Sequence, residues 1–107
     1  MDKIPTQTLI SIHKLIEELN KNDISINKAY LFGSYANNTF NDLSDIDIAL
    51  VSDYFTGNRF LDKELIRKYV IKINTDISPM PFNSKDFNQN NIMAQEILNT
   101  GLEISIF

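Results

Sequence analysis

Two carboxylates set two residues apart, Asp45 and Asp47, interrupt an apolar run in the segment Ser44-Asp-Ile-Asp-Ile-Ala-Leu-Val51. The run reads as a strand with Ile46, Ile48 and Leu50 on one face and Asp45, Asp47 and Ala49 on the other. Carboxylates at i and i+2 point the same way, roughly 6.5–7 Å apart at Cα. Anions held that close repel each other and favour a cation between them. Oxygen donors of this hardness suit Mg2+ or Mn2+. Upstream, an apolar stretch over 29–32 ends in Gly33-Ser34. A strand that stops at Gly-Ser and turns into a short helix leaves backbone N–H groups free, and phosphate binds there. An acidic turn before an ordinary core strand would account for Asp42 and Asp45, but not for Asp47 inside the apolar run.

Gly33-Ser34, ten intervening residues, Asp45-x-Asp47 and a further Asp76 together resemble the signature of the polymerase-beta-type nucleotidyltransferase superfamily. The chain is similar to its minimal nucleotidyltransferases, from about Leu9 to about Ile106. Gly-Ser or Asp-x-Asp alone carries no weight; the combination does. The resemblance implies an α/β class, the small nucleotidyltransferase fold with a mixed β-sheet flanked by helices, as a single domain over residues 1–107. It implies that Gly33 and Ser34 bind nucleotide phosphates. It further implies that Asp45, Asp47 and Asp76 are both catalytic residues and metal ligands, Asp76 coming from a neighbouring strand. The implied reaction moves a nucleoside monophosphate, AMP from ATP, to a hydroxyl. Minimal nucleotidyltransferases of this look are commonly antitoxins paired with a HEPN-domain toxin, and the implied acceptor is a tyrosine of that toxin. Two alternatives stand beside this: an antitoxin that acts only by binding its partner, and a subunit of a small-molecule nucleotidyltransferase of the antibiotic-modifying kind. An intact carboxylate set favours catalysis. The chain departs from the family at Asn37-Asn38, where a basic residue and a glycine are usual. Asparagine tolerates positive φ, so the turn survives, but the positive charge that would contact the triphosphate from this position is missing.

Composition bounds the rest. At 107 residues and 43% hydrophobic content, the chain can bury one modest core. The net charge of −4 argues against a general nucleic-acid binder. The absence of cysteine excludes disulfides and thiolate metal sites and fits a reducing, cytoplasmic compartment. The first five residues lack the charged and apolar regions of a signal peptide, and no apolar run reaches membrane-spanning length.

The elements that must position these residues follow from periodicity. Leu9, Ile12, Leu15, Ile16 and Leu19 predict a helix that starts near Pro5-Thr6 and ends over 20–23. His13, the only histidine, belongs to that helix in a surface or packing role. Residues 24–32 read as the first strand. Residues 60–69 read as a helix with Leu61, Leu65, Ile66 and Tyr69 inward and a basic outer face. Residues 69–81 read as a third strand, with Ile71 and Ile73 alternating against Lys72, Asn74 and Asp76, and with Pro79 and Pro81 ending the ladder. A short helix over 92–98 with Gly101 as C-cap, and a final strand or tail over 102–106, complete the chain. About thirty residues follow Asp76, too few for a substrate-binding domain. Another chain or another copy is therefore expected to shape the acceptor site. Tyr54, Phe55, Phe60, Phe82 and Phe87 are candidates for a partner surface, with a core role expected for at least half.

Overall fold

The computed structural model describes residues 4–37, 39–41 and 44–106. Among these residues, three helices, α1 (Thr6–Lys21), α2 (Arg59–Ile73) and α3 (Ile92–Thr100), flank four strands, β1 (Lys28–Phe32), β2 (Ile46–Val51), β3 (Ile77–Phe82) and β4 (Leu102–Ile104). The sheet order is β3-β2-β1-β4. β1 runs antiparallel to both β2 and β4, while β2 and β3 are parallel, so the sheet is mixed. The α/β class and the flanked mixed sheet are as expected.

Each helix has a local reason to begin or end where it does. The α1 terminus is a Schellman motif: Ile24 N–H donates to Leu19 O at 3.0 Å and Asp23 N–H to Asn20 O at 3.2 Å, with Asp23 at φ +68°. Ile24 and Leu19 then meet in the core. Asn58 and Asn91 cap α2 and α3 by accepting from Leu61 N and Ala94 N. Asp62 is fully buried and accepts from Thr56 N, Thr56 Oγ1 and Gly57 N, which ties the entry loop to the first turn of α2.

The sheet has two faces. Ala29, Leu31, Ile46, Ile48, Leu50, Ile77 and Ile104 pack under α1 and α2. Tyr30, Ala49, Val51 and Phe82 pack under α3 and Phe87. Phe55, Phe82 and Phe87 are therefore core residues, and only Tyr54 and Phe60 of the five aromatic candidates are exposed.

Residues 69–73 are not a strand, contrary to the sequence reading. They continue α2 from its Asn58 cap, and strand structure begins only at Ile77. Ile66, Val70 and Ile73 recur at helical spacing, and a short apolar run fits either period. The inward face of α2 is Asp62, Ile66 and Val70; Leu61 is 56% exposed and Leu65 also lies outward. Asp62 turns that face inward because its carboxylate is the acceptor for the entry loop. The prolines do not end the ladder either, since both lie inside β3. The carbonyls of Asp76 and Phe82 accept from Ile46 N and Ser52 N of the β2 side. Even-numbered β3 residues thus address β2, and Pro79 and Pro81 address the open edge, where a missing N–H costs no ladder bond. The first strand is also shorter than expected, starting at Lys28.

Candidate active site

β1 leaves the sheet at Gly33, whose φ of +72° is a left-handed conformation that favours glycine. A second constraint acts at the same place. A Cβ on Gly33 would run into Asp47 Oδ2 and lie 3.2 Å from Asp47 Cγ. The phosphate-type turn and the second carboxylate of the Asp-x-Asp pair are thus in direct contact. They meet because Phe32, the residue before Gly33, is the cross-strand partner of Asp47.

The turn is held from within and from below. Asn37 N–H donates to Gly33 O at 3.0 Å and Thr39 N–H to Ser34 O at 2.9 Å. Tyr35 is buried and stacks on Phe40 with ring centroids 4.5 Å apart. Among the described residues, nothing accepts a hydrogen bond from the amides of Ser34, Tyr35 or Ala36. These are the orphan donors of a first helical turn, which suit an anion. Asn37 lies on the exposed side of this turn; Asn38 lies outside the described residues.

Asp47 shares its sheet face with Ala49 and Val51, and exposure rises along that row from the buried Val51 and Ala49 through half-buried Asp47 to exposed Asp45. Burial pushes the Asp47 carboxyl up from the ordinary carboxylate value, and the neighbouring charge of Asp45 adds to this. Among the described residues, neither carboxylate has a cationic or hydrogen-bonding partner. Two repelling, uncompensated carboxylates fit a hard divalent cation, and Mg2+ is commonly held by one or two carboxylates plus water and substrate phosphates.

Asp76 directly precedes β3 instead of ending a strand as expected. Its carbonyl accepts from Ile46 N at 2.8 Å, and its own N–H donates to Asn74 Oδ1 at 2.8 Å. Asn74 in turn donates to Ser11 Oγ of α1 at 3.1 Å, so the connection is anchored to the body of the fold. Ile46 pairs with Ile77 and Asp47 with Ser78, which sets Asp76 alongside Asp45 by strand register. Among the described residues, no three Asp, Glu, His or Cys side chains are grouped tightly enough to hold a metal ion together. The close group is thus the pair and the Gly33 turn, with Asp76 exposed at the start of the adjacent strand. Ser78 went unread in the sequence. It is half-buried, in register with Asp47, and on the face shared with Met80 and Phe82. Its signal was parity: two residues after Asp76 in a strand is the same face. His13 is remote from this group and bonds Ser105 O at 2.8 Å.

A mixed α/β sheet with a Gly-Ser turn closed onto an Asp-x-Asp strand defines the small nucleotidyltransferase fold. Residues 13–105 match the family described as polymerase beta, nucleotidyltransferase, and the chain belongs to that family. Among solved structures, a protein of Sulfolobus solfataricus assigned as a nucleotidyltransferase is similar, with a TM-score of 0.66 at 18% identity over 96% of this chain and 89% of that one. A structure described as a toxin-antitoxin with AMP-PNP is similar with a TM-score of 0.60 at 26% identity, over 91% of this chain and 72% of that one. No curated protein matches the chain by sequence. Among the described residues, no helix is long and apolar enough to cross a membrane.

Proposed function

We propose that the chain transfers AMP from ATP to a hydroxyl of a partner toxin of the HEPN type, and so acts as the antitoxin of a pair. The observation that carries this reading is the contact between the Gly33 turn and Asp47, with Asp45 beside it. Phosphate donors and paired carboxylates serve one ligand class, a nucleoside triphosphate with its metal. The family supports the transfer chemistry. The likeness to a toxin-antitoxin with AMP-PNP, an ATP analogue, supports the nucleotide and the partner.

In this reading, the amides of Ser34, Tyr35 and Ala36 and the Ser34 hydroxyl hold phosphate oxygens. Asp45 and Asp47 would hold Mg2+ (or Mn2+), and Asp76, which follows in strand register, would turn towards the ion only once it is bound. When bound, the ion supplies charge stabilisation at the α-phosphorus and the leaving group. The acceptor oxygen forms a bond to the α-phosphorus while the bond to the bridging α–β oxygen breaks. Pyrophosphate leaves, and the acceptor proton passes to the Asp76 carboxylate.

Intact-mass measurement of a HEPN-type protein from the same genome, co-expressed with this chain, tests the proposal. The expected result is a mass increase of one adenylate that needs Mg2+ and ATP and disappears with Asp45→Asn. An unmodified toxin, neutralised equally well by the parent and by Asp45→Asn, would establish binding alone and refute catalysis.

A further inference from the structure

Among the described elements, α2 carries the largest charge of opposite sign to the chain. Five of the ten lysines and arginines, Arg59, Lys63, Arg67, Lys68 and Lys72, lie in it, although the net charge is −4. Three are engaged: Lys72 pairs with Glu18 at 3.0 Å, Arg59 lies over the Phe82 ring, and Lys68 over the Tyr69 ring. Lys63 has no ion-pair partner among the described residues. Arg67 has only the exposed Glu64 at 3.9 Å, a pairing of little strength in water. Asp62, the other acid of the helix, is turned inward and saturated by the entry loop.

These two cations flank exposed apolar groups. Phe60 is 76% exposed and Ile71 55% exposed, and both lie on the same helical stripe as Arg67. Beneath them, a groove of about 380 Å3 runs between α2 and the β3 edge, floored by Ile77 and Pro79. From Phe60 to Ile71 the stripe spans about 16 Å, three turns of helix. Clustered apolar side chains left in water at a groove mark an interaction site.

The β3 edge restricts what can occupy that groove. Its outward-facing positions are 77, 79 and 81. The Ile77 N–H already donates to Asn74 O at 3.1 Å, and the two prolines have no N–H. An added strand would find no donor there, so edge-to-edge pairing is closed. An occupant must be held by side chains.

We infer that the groove between α2 and β3 is a docking site for an amphipathic helix of a partner protein, with apolar anchors seated against Phe60, Ile71 and Pro79 and acidic residues facing Lys63 and Arg67. The inference rests on the reading that this chain works on a partner, and it names the surface that holds that partner. Thr75 lines the same groove and directly precedes Asp76, so the connection that carries Asp76 into the sheet forms one end of the docking surface.

The probe is a stapled synthetic helix with leucine at i, i+4 and i+7 and flanking glutamates, titrated into the 15N-labelled chain without nucleotide. The expected result is saturable binding with amide shifts confined to residues 60–71 and 75–79. Lys63→Glu with Arg67→Glu should weaken it at least about tenfold, as expected for reversed rim charge. Phe60→Ser should weaken it similarly, and the lysine version of the peptide should not bind. Thermal melts confirm that these surface variants stay folded. Absent binding, shifts that map elsewhere, or indifference to charge reversal would overturn the proposal. So would concentration-dependent dimerisation abolished by Phe60→Ser, which would make the occupant a second copy. Because ATP is absent, a failure of nucleotidyl transfer leaves the binding result intact, and transfer without groove binding sinks the surface alone.

Discussion

One methyl group at Gly33 measures whether the phosphate turn and the carboxylate pair are a single mechanical unit. In Gly33→Ala the left-handed φ costs about 1–2 kcal/mol. The new Cβ also collides with Asp47 Oδ2, and turning that side chain off its rotamer costs a further ~0.5–1.5 kcal/mol. The sum of about 1.5–3.5 kcal/mol lowers Tm by roughly 10 °C in a domain of this size. The collision can be removed separately. In an Asp47→Ala background the carboxylate is gone, while Asp47 Cβ would lie 3.4 Å from the new methyl, ordinary contact. There Gly33→Ala should cost only the backbone part, about 1–2 kcal/mol. Urea and thermal unfolding of the four proteins in EDTA give the coupling, expected at about 0.5–1.5 kcal/mol. A cost equal in both backgrounds to within about 0.3 kcal/mol would refute the contact argument.

Other expectations follow from the same geometry. Asp47→Asn removes the repulsion from Asp45 at nearly constant shape. The metal-free variant should melt at or slightly above the parent, yet gain much less from Mg2+-ATP, because ligand stabilisation requires binding to the folded state. A lower metal-free Tm with a full Mg2+-ATP response would mean that Asp47 is structural. The same pair predicts a pH signature. A carboxyl raised in the folded state binds its proton more tightly there, so Asp47 destabilises above its folded pKa and ceases to do so as pH falls towards the ordinary carboxylate value. The stability gap between Asp47→Asn and parent should therefore be widest near neutrality and close on acidification, as read by melts across pH. Asp62→Ala leaves three loop donors without their acceptor and should cost about 2–4 kcal/mol in urea unfolding. The folded fraction of that variant should keep its Mg2+-ATP response.

What was legible in the sequence was what is local. The Gly33 turn and the Asp45-x-Asp47 alternation are set by neighbours within a few residues, and β2 falls where period-2 reading puts it. The third strand was not legible, because Tyr69-Val-Ile-Lys-Ile73 fits helix and strand equally and only the upstream Asn58 cap decides. The inward face of α2 was misjudged for a related reason. A buried aspartate in its first turn is justified only by loop amides that periodicity does not see. Ser78 escaped because its face is known only once the β2–β3 register is known. Gly101 was correctly placed at the end of α3, but for another reason. It is extended, and a Cβ there would press on Ile97 O at 2.6 Å and lie 3.2 Å from Leu31 O, so close approach and not a left-handed cap requires it.

The alternation of prolines in β3 has a consequence for folding fidelity. Strands paired in parallel can slip by a residue, and a slip would turn every β3 side chain to the opposite face. Here a one-residue slip would aim Pro79 and Pro81 at β2, where each would break a ladder bond, so misaligned pairings are penalised as they form. The parity that survives is the one that puts Asp76 and Ser78 on the sheet face of Asp45 and Asp47. The prolines thereby proofread the spacing of the acidic residues from two residues or more away, and lengthening the 74–76 connection by one residue could not be absorbed by sliding the strand.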